Sequence, residues 1–327
     1  MQSGLSTTRS LAAFGVRESN MAKWVTVKAP ASSANLGAGY DVFAVALGGP
    51  VDTLTIRRAK SGVRLRVGGL HLDTDPRKNI VLGVVRAMME EEGIREGVSL
   101  HLRKGVPVGA GLGSSAASSA AAAVGMNAIF DLGLEKRKLI GYAGIGEKMA
   151  SGTAHYDNVA AAIAGGFVVV SGSQGFIAMN APARLTLCLA TPRIPLPSRK
   201  TEYARSLVPK SLTVEEVADT VTSATMMIHG FSTGSLDEIG RAMQGGFVDP
   251  RRAAMIPGFG EVRDSALDAG AFGACISGAG PTVLAATTSR RARGVLAAMI
   301  RGFRRAGVRS QGFVTRPGKG CRVIEQA

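Results

Sequence analysis

The 327-residue chain is poor in several features that mark common protein classes. Its three cysteines, Cys188, Cys275 and Cys321, are odd in number, far apart and in no CxxC spacing. This argues against a disulfide framework or a zinc site, and for a reducing, cytoplasmic setting. The four histidines, His71, His101, His155 and His229, show no i, i+4 ligand pairing. No apolar run reaches the ~18 residues a membrane span needs, the Ala-rich stretch after Ser114 being interrupted and weakly hydrophobic, so no membrane partner is expected. Aromatic residues make up only 5% of the chain, and acids are outnumbered by bases, 24 against 39.

The resulting net charge of +15 raises a nucleic-acid or anionic-surface reading. Its layout is uneven. Ten bases and one acid, Glu325, lie from Arg290 to the end, so this tail alone carries +9. It holds only Phe303 and Phe313 as aromatics, whereas single-strand binders interleave bases with stacking rings. A solvated basic face that attracts anionic substrates is the expectation, and nucleic acid is not an expected partner. Residues 1–21 are Ser/Thr-rich with Arg9 and Arg17, faintly like a transit peptide. Because Met21 stands just before the first strand-like run, a flexible N-terminal extension is expected there.

Apolar alternation predicts strands at Lys23–Lys28, Asp52–Arg58, Val63–Val67 and Val98–Arg103. Ile80, Val81, Val84, Val85, Met88 and Met89 share one face of a helix that ends before Gly93. A second helix follows Gly113, and a strand covers Val168–Val170. Beyond residue 180 come a strand at Arg184–Ala190, a Pro-rich loop, and helices opened by Thr213-x-x-Glu216 and Ser235-x-x-Glu238. Strands at Ala271–Ile276 and Thr282–Thr287, a helix carrying Val295, Met299 and Phe303, and a strand at Val308–Thr315 complete a β-α-β-β-α-β order. The expected architecture is α+β in two domains, residues 22–180 and 181–327, the second a ferredoxin-like plait.

The 43 glycines cluster. The densest group lies in Pro107-Val-Gly-Ala-Gly-Leu-Gly-Ser-Ser-Ala-Ala117, between a strand and the Ala-rich helix. Glycines let backbone N–H groups converge on one concavity, and a helix N-terminus adds unsatisfied donors, which suits phosphate. A Walker A loop needs a Lys after its last Gly, and Gly113 is followed by Ser114, so that reading fails. Lacking that Lys, the loop must draw positive charge from Mg²⁺, for which hydroxyls such as Ser114 and Ser115 and a distant carboxylate are suitable ligands. A second cluster, Ala29-Pro-Ala-Ser-Ser-Ala-Asn-Leu-Gly-Ala-Gly-Tyr-Asp41, carries Asn35 and Asp41. A third, Ser277-Gly-Ala-Gly-Pro-Thr-Val283, is either a plain tight turn or a backbone surface packed on the phosphate loop.

These three clusters, in this order and spacing, resemble the GHMP kinases, a family of small-molecule kinases. The first motif, together with Glu147, His155-Tyr-Asp-Asn158 and Thr201-Glu-Tyr-Ala-Arg205, is similar to the homoserine kinase branch. The resemblance spans about Ala22 to Ile324. It implies an N-terminal ribosomal-protein-S5-domain-2-like domain joined to the plait, and phosphorylation of L-homoserine by ATP with Mg²⁺ in threonine biosynthesis. Carried over residue by residue, Pro107, Val108, Gly109, Ala110, Gly111, Leu112, Gly113, Ser114, Ser115, Ala116 and Ala117 would wrap the ATP phosphates, and Ser115 with Glu147 would hold Mg²⁺. Thr201, Arg205 and Arg252 would hold the acceptor's carboxylate, with Arg251 a rival of Arg252; Asp41 would take its ammonium, and Asn35, His155, Asp157 and Asn158 would surround its alcohol. Asp157 is the candidate base, unless positioning and charge stabilisation suffice; His155 could instead be a structural histidine. The branch often has Pro, Phe and Pro where this chain has Ala38, Tyr40 and Tyr156, which changes loop shape and spares the polar groups. Shikimate- or mevalonate-type kinases, and a basic nucleic-acid-binding module on a kinase-like scaffold, remain alternatives, and a homodimer is left open.

Overall fold

A computed structural model describes residues 22–69, 79–152, 156–171, 175–197 and 199–327. The expected extension at 1–21 and His155 lie outside them. The first sheet is built on the hairpin of β1 (Trp24–Asn35) and β2 (Gly39–Ala59), in register with Val27 opposite Leu54. β3 (Val63–Gly69) pairs parallel with β4 (Gly97–Lys104), which pairs antiparallel with β2. β5 (Phe167–Ser171) joins the other half of β2 and carries β6 (Gly175–Met179). The period-2 burial of β4, where Val98, Leu100 and Leu102 are buried and Ser99, His101 and Arg103 are exposed, is what the alternation predicts.

Four helices cover this sheet: α1 (Ile80–Glu91), α2 (Ser114–Ile129), α3 (Lys136–Ser151) and α4 (Tyr156–Ala164). α1 starts at Asn79, whose side chain accepts from the Val81 N–H, and buries Val81, Val84, Val85 and Met88. α2 has no polar face because it is enclosed on all sides; Ala116, Ala117 and Ala120 to Ala123 are fully buried. Its small side chains let it run close to β1 and β2. A Cβ at Gly125 would lie 2.6 Å from the Ile56 side chain.

The second sheet contains β7 (Leu185–Pro192), β8 (Gly273–Ile276), β9 (Val283–Thr288) and β10 (Ser310–Thr315), in the spatial order β10-β7-β9-β8. Its fourth strand lies beside the first, then come the third and second, as a ferredoxin-like plait requires. Between β7 and β8 run α5 (Lys200–Ser206), α6 (Val214–Thr233), α7 (Leu236–Met243), α8 (Val248–Arg252) and α9 (Phe259–Asp268); α10 (Ala292–Arg305) connects β9 to β10. The capping box at Thr213 and Glu216 forms in full, and Ser235 accepts from the Glu238 N–H.

Alternate residues of this sheet serve two cores. Cys188, Ala190, Val283 and Ala285 pack with α9 and α10. Leu187, Leu189, Leu284 and Ala286 join Met227 and Phe231 of α6 in the core of the first sheet. Phe231 stacks on Phe167 with centroids 4.0 Å apart, so an apolar interior runs continuously between the two halves. The chain's end departs from the expectation that residues 181–327 stay in the plait. β11 (Arg322–Gln326) returns to the first sheet and pairs antiparallel with the outer side of β1. All ten bases of the +9 tail are exposed, as a solvated basic face requires.

Candidate functional site

The glycine-rich loop leaves β4 and enters α2, with Gly109, Gly111 and Gly113 in the left-handed region at φ +74°, +79° and +62°. Gly113 is the N-cap of α2 and supplies no capping side chain, so the first-turn N–H groups stay available to an anion. A buried ion pair holds the loop from beneath. Lys104 bonds Asp52, and also donates to the Ser118 hydroxyl and the Ser114 carbonyl, both at 2.9 Å. The other Asp52 oxygen accepts from the N–H groups of Gly105 and Val106 at 2.9 and 3.0 Å. Burial lowers the Lys104 pKa, while Asp52 partly restores it. Sequence reasoning missed this pair. Its signal was a Lys on the inward phase of a strand whose other inward residues are apolar.

The third glycine cluster packs its backbone on the phosphate loop. A Cβ at Gly111 would lie 2.4 Å from the Ser277 carbonyl oxygen and 2.6 Å from that of Gly280. The Ser277 hydroxyl donates to the Gly111 carbonyl at 2.7 Å, and the Ser33 hydroxyl lies 2.8 Å away. The first cluster is locked to the third: the Gly278 N–H reaches the Ala34 carbonyl at 3.0 Å. Asn35, expected beside the alcohol, commits its amide to this closure. Its Nδ2 donates to the Gly278 carbonyl at 2.9 Å and its Oδ1 accepts from the Asp41 N–H at 3.1 Å. The residue sits at φ +72° and shapes the loop that presents Asp41.

On the helix side, Ser115 hydrogen-bonds the buried carboxyl of Glu147. Burial pushes Glu147 up to about 7, the Ser115 bond opposes this and the charge of Asp157 adds to it. Asp157 is likewise buried, and desolvation pushes it up to about 6 against the N–H of Asn158, which donates to it at 2.6 Å. Asp41 and Arg205 also act on Asp157 through their charge, Asp41 raising its pKa and Arg205 lowering it. Asn158 accepts from the Ser32 hydroxyl at 2.8 Å, and both side chains press on Gly113.

Across the cleft, Arg205 of α5 pairs with Asp41 at 2.5 Å. Arg252 is buried at 3% exposure at the end of α8. Its Nε donates to the Ala204 carbonyl at 2.9 Å and its Nη1 to that of Gly278 at 3.2 Å. Both guanidinium groups lie over the Tyr40 ring, at 5.8 and 5.2 Å from its centroid. Of the adjacent pair it is therefore Arg252 that enters the site. Arg251 turns away to Glu216 and to the Phe247 carbonyl. Thr201 lies one turn before Arg205 on the same side of α5. Asp249 anchors α8 by accepting from the Ile276 N–H at 2.7 Å, and burial raises it to about 7.

The site thus joins an uncapped, glycine-lined helix start, two buried carboxyls and a pair of arginines facing an aspartate. Residues 79–166 match the GHMP kinases N terminal domain and residues 227–305 the GHMP kinases C terminal domain. A homoserine kinase of Halorubrum lacusprofundi is 41% identical over 304 residues, which cover 92% of this chain and 100% of that protein. One from Natronomonas pharaonis is 41% identical over 302 residues, again spanning all of the relative. The crystal structure of homoserine kinase from Cytophaga hutchinsonii superposes with a TM-score of 0.85 at 33% identity, covering 98% of this chain and 100% of that one. The structure of L. major mevalonate kinase in complex with R-mevalonate shares the fold, with a TM-score of 0.66 at 14% identity. Homology over nine-tenths of its length, on a scaffold whose three glycine loops close on one another, makes the chain a member of the GHMP kinase family, in its homoserine kinase branch.

Proposed function

We propose that the chain transfers the terminal phosphoryl group of ATP to the hydroxyl of L-homoserine, giving O-phospho-L-homoserine. The observation that carries this reading is the Asp41–Arg205 pair, with Arg252 beside it, set next to the phosphate loop. A zwitterionic amino acid satisfies both members of such a pair at once. Its carboxylate takes the arginine forks and its ammonium takes Asp41, so each protein charge exchanges one partner for another. Shikimate and mevalonate also bear a carboxylate but would leave Asp41 without a cation, which selects against them.

Residues 107–117 would cradle the triphosphate with backbone N–H groups and the start of α2. The donor set at Ser115 and Glu147 fits Mg²⁺, because both offer hard oxygens and the carboxyl is held beside the loop in a buried setting that a cation would compensate. Bound there, Mg²⁺ would neutralise charge on the phosphate oxygens. Asp157 and Asn158 would orient the acceptor hydroxyl, with Asp157 placed to take its proton. Elevated to about 6, Asp157 is still mostly ionised at neutral pH and close to the range where proton acceptance is effective. A loose phosphoryl-transfer transition state asks mainly for alignment and charge stabilisation, which these groups provide. His155 is a further proposed neighbour of the hydroxyl. Cys188, Cys275 and Cys321, none of them in a disulfide, suit the cytoplasm.

The test is ADP release, coupled to an indicator reaction, with L-homoserine, L-serine, shikimate and mevalonate as acceptors. Turnover with homoserine should exceed that with each of the others. A homoserine rate no higher than the serine rate would overturn the proposal.

A further inference from the structure

Lys200 is a partly buried cation at the start of α5. Among the described residues no carboxylate pairs with it, and its ammonium donates to the Gly280 carbonyl. Burial, with the nearby charge of Arg252, lowers its pKa to about 8, so it remains a cation at neutral pH. The Gly280 carbonyl is also one of the two that Gly111 of the phosphate loop packs against. The Lys200 ammonium and the phosphate loop therefore meet the same peptide group. This places a lysine from the second half of the molecule beside a loop whose own sequence carries none.

A cleft of about 240 Å³ opens at this point, and Lys200, Arg252, Leu196, Ala279 and Pro281 are among its walls. Among the described residues two cations line it and no acid does. It reaches the loop itself, since Leu196 lies 3.3 Å from where a Cβ of Gly109 would sit. Its other walls are largely apolar, so the two cations suit an anionic group brought in by a ligand. Arg252 is common to the cleft and to the acceptor clamp, so the phosphate nearest to it is the one being transferred. We propose that Lys200 binds the terminal phosphate of the nucleotide and supplies, from across the molecule, the cation that the glycine-rich loop lacks. The assignment rests on the kinase reading above. An ammonium has three donors, so it can keep Gly280 and still give protons to phosphate oxygens.

The experiment is equilibrium calorimetry of the full chain with Mg²⁺, without acceptor, comparing ADP with a non-hydrolysable ATP analogue in wild type, Lys200→Met and Lys200→Arg. Lys200→Met should weaken the triphosphate analogue about tenfold or more and change ADP less than twofold, because only the terminal phosphate loses a partner. Lys200→Arg, which keeps the charge, should stay within about threefold of wild type for both. Equal weakening of both nucleotides by Lys200→Met overturns the assignment, as does unchanged binding of the analogue. Should Lys200→Met lower the melting temperature, the arginine variant decides: a tenfold loss of the analogue despite retained charge overturns the proposal. A wild-type chain that distinguishes the two nucleotides yet fails to phosphorylate homoserine overturns the acceptor assignment and leaves this one standing.

Discussion

Arg205 and Asp41 pair with one another at the site, and their division of labour is separable by substitution. Arg205→Ala should raise the KM for homoserine by about tenfold to a hundredfold, roughly 1.4–3 kcal/mol of lost acceptor binding, and leave the KM for ATP within twofold. Steady-state kinetics with each substrate varied in turn checks this; parallel loss of nucleotide binding would contradict the role. Asp249 permits a pH prediction. Its carboxyl, ordinarily near 3.8, is lifted to about 7 by burial, so the folded chain holds a proton there that the unfolded chain has already released. The contribution of Asp249 to stability therefore declines as pH rises from about 4 to about 7 and is flat above that. Glu147 and Asp157, raised for the same reason, act in the same direction. Asp249→Asn, which keeps an acceptor for the Ile276 N–H, should flatten the fall in urea midpoint between pH 5 and 8. Residue identities were legible only in part. The glycine, arginine and carboxylate candidates follow from chemistry that needs those groups in those loops. Two things were not readable: the choice of Arg252 over Arg251, which depends on the rotation of a five-residue helix, and the backbone duty of Asn35, which depends on a segment more than 240 residues away.

Among the elements, the phosphate loop and its supports are the most sensitive to change. Gly111→Ala places a methyl group within 3 Å of two carbonyl oxygens at a positive φ, so strain and collision combine. The expected cost is about 2–4 kcal/mol in chemical denaturation, with nucleotide affinity lowered because the loop must part from Ser277 and Gly280. Asp52→Leu should cost about 3–5 kcal/mol, since it strands Lys104 in the interior. Adding Lys104→Met should recover part of that loss but not all, because the Gly105 and Val106 N–H groups still lack their acceptor. Elements with a strong period were plain in the sequence: α1 and α10 from their apolar faces, β4 from its alternation, α6 from its capping box. β6 and β11 were missed for a physical reason. Both are short strands with mostly exposed or half-buried side chains, held by main-chain pairing rather than by an apolar face.

At the scale of the whole molecule, the two halves share one of their two cores and exchange backbone contacts at the phosphate loop, so catalytic geometry and global packing are linked. Phe231→Ala should cost about 3–5 kcal/mol by emptying the stack on Phe167, measurable as a lower urea midpoint. The two-domain plan was readable from the change of rhythm near residue 180, but the return of the chain to its first sheet was not. β11 closes an edge that β1 opened about 300 residues earlier in the chain, and the Lys23 and Trp24 N–H groups both donate to the Ala327 carbonyl. On the ribosome, this means that β1 emerges long before its outer partner has been synthesised. Until then its row of unpaired peptide groups is a template for any passing strand, including that of a neighbouring nascent chain. The interval between making β1 and making β11 is thus a window in which a chaperone has something to protect, and it closes only when the last strand is threaded home.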